Sequence, residues 1–101
     1  MTALSYRSQR FDALQRANDI RTRRANLKRA VRNRTITVEA LVQEPEWFLF
    51  TLPVHELLEW APYCGRTRCN KVLRRADVWP LREVGQLTLR QRSRVLAEMA
   101  R

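Results

Sequence analysis

Glycine is nearly missing from this sequence, with two among 101 residues, and proline is scarce at four. Two isolated glycines, neither followed by Lys-Ser/Thr, exclude the glycine-rich loop that cradles nucleotide phosphates. There is one histidine, His55, and neither a Ser-His-Asp nor a Cys-His-Asn set, so the chain is not expected to be an enzyme. The two cysteines, Cys64 and Cys69, stand five apart. With His55 they leave a zinc site one ligand short, and paired zinc cysteines usually sit closer, so neither metal nor other cofactor is expected. A disulfide is not expected in a reducing compartment. The longest apolar run, Trp47 to Leu52 with Thr51 inside it, is far too short to cross a bilayer. The first residues run into charge rather than into an apolar stretch, so no secretory signal is read there. These absences point to a cytoplasmic chain with no membrane and no small-molecule substrate.

Hydrophobic residues make up 45%, too many for a disordered polycation and enough for one modest core at this length. Net charge is +10, and it is segregated. Residues 7–34 sum to +8, residues 35–65 carry five Glu and no Lys or Arg, and residues 66–101 sum to +7. Two basic segments flanking an acidic one suit a polyanionic partner. Lysine is rare, Lys28 and Lys71 being the only two, so the cations are almost all arginine, whose planar fork pairs phosphate bidentately. An anionic membrane is the weaker candidate, because the basic helices lack a face of bulky apolar residues.

Low glycine and proline with abundant Ala, Leu and Arg favour helix throughout. Residues 5–34 read as one long basic helix, with Ala13, Ala17, Ile20, Leu27 and Val31 forming a thin packing stripe that contains Arg24. Its part before about Arg16 is expected to order only on the polyanionic partner, and Asn33 is expected to take the left-handed C-cap. Thr35 or Thr37 caps a short helix, 38–43, that Pro45 ends. Trp47, Phe48, Leu49 and Phe50 read as core. Helices follow at about 53–60, with Leu57, Leu58 and Trp60 inward, and at 66–76, with Cys69, Val72, Leu73 and Ala76 inward. After turns at 78–81 and 84–87, Thr88 and Gln91 make a capping box for a last helix, 89–99, with Leu89, Val95, Leu96 and Met99 inward. The fold class is all-α: residues 1–34 as a long basic helix and residues 35–101 as a compact helical domain, together one folding unit.

The most informative stretch is Pro62-Tyr63-Cys64-Gly65-Arg66-Thr67-Arg68. A tight turn into a helix start leaves backbone N–H groups pointing outward, with the positive end of the helix dipole behind them. Arg66 and Arg68, with Lys71 one turn on, add full charges. Together these form a phosphate pocket that reads no base.

On these residues the chain resembles the actinobacterial, mycobacterial-type integration host factor family. The matching segments are Arg24-Ala25-Asn26-Leu27-Lys28, Val54 to Leu58, Pro62-Tyr63-Cys64-Gly65-Arg66 at the family's Pro-x-x-Gly-Lys turn, and Leu87 to Arg92 with Arg90-Gln91-Arg92. The resemblance spans about residues 10–98 and implies a long basic helix on a helix-two-turns-helix domain. It also implies nucleoid-associated binding of double-stranded DNA, with bending and support of a phage or host recombinase. Carried over, Gly65, Arg66 and Arg68 hold phosphates at the hairpin. The wider set of candidate DNA contacts is Thr67, Lys71, Arg82, Arg90 and Arg92, with Arg21, Arg24 and Lys28 on the long helix. One departure stands out. Family members carry an arginine run and Gly-x-Gly before the last helix, whereas Arg82-Glu83-Val84-Gly85-Gln86-Leu87-Thr88 keeps one arginine and one glycine and adds an opposing Glu83.

Three uses of this surface remain open on sequence grounds. The chain is expected to be a monomer that binds duplex DNA with little base preference. RNA would fit the same phosphate pocket, although no aromatic interleaves the basic residues of the long helix. A protein-interaction module would dock a basic partner such as a recombinase on the acidic 35–65 segment.

Overall fold

The computed structural model describes residues 3–101, and side-chain surroundings from residue 7 onward. Among these residues the chain is helical throughout, with one isolated antiparallel bridge and no strand. The helices are α1 (Ala3–Arg32), α2 (Val38–Gln43), α3 (Val54–Glu59), α4 (Arg66–Ala76) and α5 (Leu89–Met99), with single 3₁₀ turns at Trp47–Leu49 and Val84–Gln86. No described helix is long and apolar enough to cross a membrane. The all-α reading and the order of elements hold.

α1 is unbroken because nothing in it interrupts a helix, and at 30 residues it is roughly 45 Å long. Of its described side chains, only those from Ile20 onward are packed. Val31 is buried and Ile20, Arg24 and Leu27 are half-buried, but Ala13 and Ala17 are exposed, so the stripe read from sequence begins at Ile20. The expected cap at Asn33 is displaced by one residue. Arg34 takes the left-handed conformation (φ 62°), with Thr35 N–H on the Ala30 carbonyl and Arg34 N–H on the Val31 carbonyl. The preference of Asn for positive φ loses to the position at which the last hydrogen-bonded turn closes.

The rest is a compact helical unit. Buried Leu41 and Val42 of α2, Leu57 and Leu58 of α3, Val72 and Leu73 of α4, and Val95 and Met99 of α5 meet in one core, with α4 and α2 both packed on α5. Thr37 caps α2, its hydroxyl accepting from the Ala40 amide, and Thr88 with Gln91 forms the reciprocal capping box on α5. Two inward assignments fail. Of the 47–50 cluster only Phe48 and Leu49 are buried, while Trp47 and Phe50 are about half exposed at 49% and 46%. The 3₁₀ turn points successive side chains in different directions, so four neighbouring aromatics and aliphatics cannot all face one core. Leu89 is 79% exposed, because it is the first residue of α5 and precedes the turn that contacts the core.

A non-local ladder binds the segment before α3 to the second turn. Gly85 N–H donates to the Phe50 carbonyl, Val84 N–H to Leu52, Val54 N–H to Arg82 and His55 N–H to Pro80, all at 2.8–3.1 Å. A Cβ on Gly85 would lie 2.8 Å from Phe50 Cβ, so this one glycine is set by close approach.

Candidate nucleic-acid interface

The hairpin between α3 and α4 begins at Trp60 and Ala61, both buried, and reaches α4 through exposed Pro62 and Tyr63. Gly65 is the N-cap of α4, in extended conformation (φ −76°, ψ 170°), and offers no side chain to the helix. The amides of Arg66, Thr67 and Arg68 have no acceptor among the described residues; the first amide bonded back is Cys69, to the Gly65 carbonyl at 3.0 Å. Any residue could adopt the backbone angles of Gly65. A Cβ there would meet nothing within 4 Å, so packing does not demand glycine; its effect is to leave the helix start without a capping side chain. The result is an uncapped helix start with open ground in front of it.

Two cysteines hold that start in place. Cys64 precedes the N-cap and Cys69 lies in the first full turn, the positions of a hydrophobic staple, and both are buried. The Cys69 S–H points to the Cys64 carbonyl at 3.8 Å. Burial, then the neighbouring Cys64 thiol, pushes the Cys69 thiol far above its ordinary range, so it stays protonated and acts as a small apolar residue.

Charge is arranged on both sides of the free amides. Arg66 is 84% exposed, with its Nε 3.7 Å from a Glu59 carboxylate oxygen. A pair this exposed is weak and yields readily to a phosphate. Arg68 is better fixed: its guanidinium lies 5.8 Å from the centre of the Tyr63 ring and donates to the Arg101 carbonyl at 3.2 Å. Tyr63 is in turn anchored by its hydroxyl to the Glu39 carboxylate of α2. Thr67, Arg68 and Lys71 open onto a cleft of about 530 Å³ together with Arg75 and Arg101, opposed there by the Glu98 carboxylate. Sequence reading missed Arg75 and Arg101. Arg75 was recoverable, because Arg68, Lys71 and Arg75 recur at helical spacing on one face of α4. Arg101 was not, because only the packing of α5 on α4 brings it there.

The remaining candidates lie elsewhere. Arg24 is spent on structure, its Nε donating to the Phe48 carbonyl at 2.8 Å and its Nη2 to the Thr51 hydroxyl at 2.7 Å. Arg21 is exposed and Lys28 half-buried, both on α1. Arg82 gives Nε and Nη2 to the Gln86 carbonyl at 3.1 and 2.8 Å and closes its own turn. Arg90 is fully available on the first turn of α5, whereas Arg92 is half-buried, with only a long 3.5 Å contact to the Leu87 carbonyl.

No family model and no curated protein matches the chain. A solved structure of sIHF bound to an 8-base-pair palindromic DNA is similar to it, with a TM-score of 0.73 and 21% identity over 83% of this chain and 97% of that one. The two share a fold across nearly the whole of the shorter chain. At that identity the likeness concerns architecture, and the chemistry must be argued from the residues above.

Proposed function

We propose that this chain is a non-catalytic, integration-host-factor-like protein that binds double-stranded DNA by its phosphates, with little regard to sequence, at the hairpin of Gly65 to Lys71. The observation that carries this reading is the uncapped, glycine-opened start of α4, flanked by Arg66, Arg68 and Lys71. Three free amides and the dipole of an eleven-residue helix favour an anion there, and the arginines make it a site for a polyanion. A fold held in common with a protein solved on DNA supports duplex DNA as that polyanion. Bending of DNA, association with the nucleoid and assistance to a recombinase follow from the same reading.

Fluorescence anisotropy with duplex DNA, duplex RNA and single strands at one salt concentration tests it. Duplex DNA should bind most tightly. Arg66→Glu with Arg68→Glu should abolish most of that binding while leaving the helical circular-dichroism signal intact, since both side chains are exposed. Removing residues 1–15 should weaken binding only modestly, because that deletion takes away only two cations, Arg7 and Arg10. Normal binding by the hairpin double variant, with loss on truncation, would place the footprint on α1 instead.

A further inference from the structure

Among the described residues the most exposed aromatic side chain, that of Trp79, has no part in the site above. Trp79 is 67% exposed, yet the backbone on either side of it is hydrogen-bonded into the fold. Asp77 ends α4 in the left-handed conformation (φ 58°), and Val78 N–H returns to the Leu73 carbonyl at 2.9 Å, burying Val78 just before the tryptophan. Beyond it, Arg82 N–H donates to the Trp79 carbonyl, and the next residues are held by the ladder to the 50–55 segment. A hydrogen-bonded turn therefore presents the indole to water, where it adds little to the core.

The rim of that indole is cationic and polar. Arg74, Arg82 and Gln91 line a hollow of about 430 Å³ beside Trp79, with Asp77 as the one carboxylate. Arg74 also faces an adjoining hollow with Asn70 and Pro80. An indole offers a flat face the size of a base, Arg74 offers a partner for the phosphates together with the donors Arg82 keeps beyond its two bonds to the Gln86 carbonyl, and the Asn70 amide and the Gln91 NH2, left over from the capping box, can meet base edges. Asn70, Arg74 and Asp77 lie roughly 120° around α4 from Arg68, Lys71 and Arg75, and on average only about 3–4 Å further along it, so the two faces adjoin and one duplex can touch both. Resting on the DNA-binding reading above, we infer that Trp79 is a stacking wedge that inserts against a base left exposed by a bulge, gap or end. This surface makes the protein prefer distorted duplex to fully paired duplex. Intact stacked pairs offer the indole no face, whereas an interrupted stack does, and stacking on an aromatic is worth a tenfold preference or so.

The test compares a fully paired duplex with the same duplex carrying one unpaired bulged base, by anisotropy on the full chain. The wild type should bind the bulged duplex about tenfold more tightly. Trp79→Ala should bring the two affinities together while leaving that for the paired duplex unchanged, and Trp79→Phe should keep most of the preference. In a Trp47→Phe background, where the other tryptophan, Trp60, is buried, bulged DNA should quench the emission. Retention of the full preference by Trp79→Ala, absence of any preference in the wild type, or absence of quenching would each overturn the inference. If Arg66→Glu with Arg68→Glu abolishes binding while Trp79→Ala changes nothing, the hairpin reading stands and the wedge falls, leaving the indole to a protein partner. If the wild type binds no duplex at all, both fall.

Discussion

Arg24 offers the sharpest test of how charge is divided between structure and binding in this protein. By sequence it belongs with Arg21 and Lys28 on a basic helix, but its guanidinium clamps α1 onto the 47–51 segment. Replacing it with Ala removes the 2.8 Å bond to the Phe48 carbonyl, which is partly buried, and the exposed 2.7 Å bond to the Thr51 hydroxyl. The second is largely replaced by water. The first is a charge-assisted bond whose loss leaves a carbonyl short of a partner, so the cost should be about 1.5–3 kcal/mol. For a domain of this size that corresponds to a melting temperature lower by on the order of 10 °C. Urea and thermal denaturation followed by circular dichroism would read the loss, with Arg21→Ala as the exposed control that changes stability little. Affinity for duplex DNA should fall no more for Arg24→Ala than for Arg21→Ala. An Arg24→Ala variant as stable as the wild type but much weaker on DNA would show that the clamp is not formed in solution and that the side chain faces the ligand.

Four further outcomes are expected. Leu57→Ala should cost about 2–5 kcal/mol, because Leu57 is fully buried. Trp47→Ala should cost only about 1 kcal/mol, since the ring is half exposed and loses mainly its edge-on contact with Phe48 at 5.6 Å; equal losses on thermal melting would refute the burial pattern. If about five phosphates are neutralised, a plot of log affinity against log salt should have a slope of roughly −4 to −5, and a flat plot would remove the phosphate-backbone model. The buried Cys69 thiol ionises less readily folded than unfolded, so its contribution is intact below the ordinary thiol value of 9.0 and is lost as pH rises beyond it. The wild type should therefore lose stability above that pH faster than Cys69→Ala does, and parallel curves in urea titrations would contradict the buried staple.

Local chemistry made much of this protein legible from its sequence. The scarcity of glycine and proline, the Thr37 cap, the capping box of Thr88 and Gln91, and the buried face of α4 all depend on residues within a turn or two of one another. The open start of α4 was legible for the same reason, because Gly65 and the free amides after it belong to one short segment. Tertiary structure decided what depends on partners distant in the chain. It separated Phe48 and Leu49 from Trp47 and Phe50, because which side of a 3₁₀ turn is buried depends on where α1 lies against it. It drew Arg24 into the fold and brought Arg101 alongside Arg68, since an arginine's role is set by the acceptors that packing delivers to it. It placed Gly85 against Phe50 and left Trp79 exposed to water. Periodicity marks a face as apolar or charged, but only the packed neighbours determine whether a given side chain is spent on the fold or left free to bind.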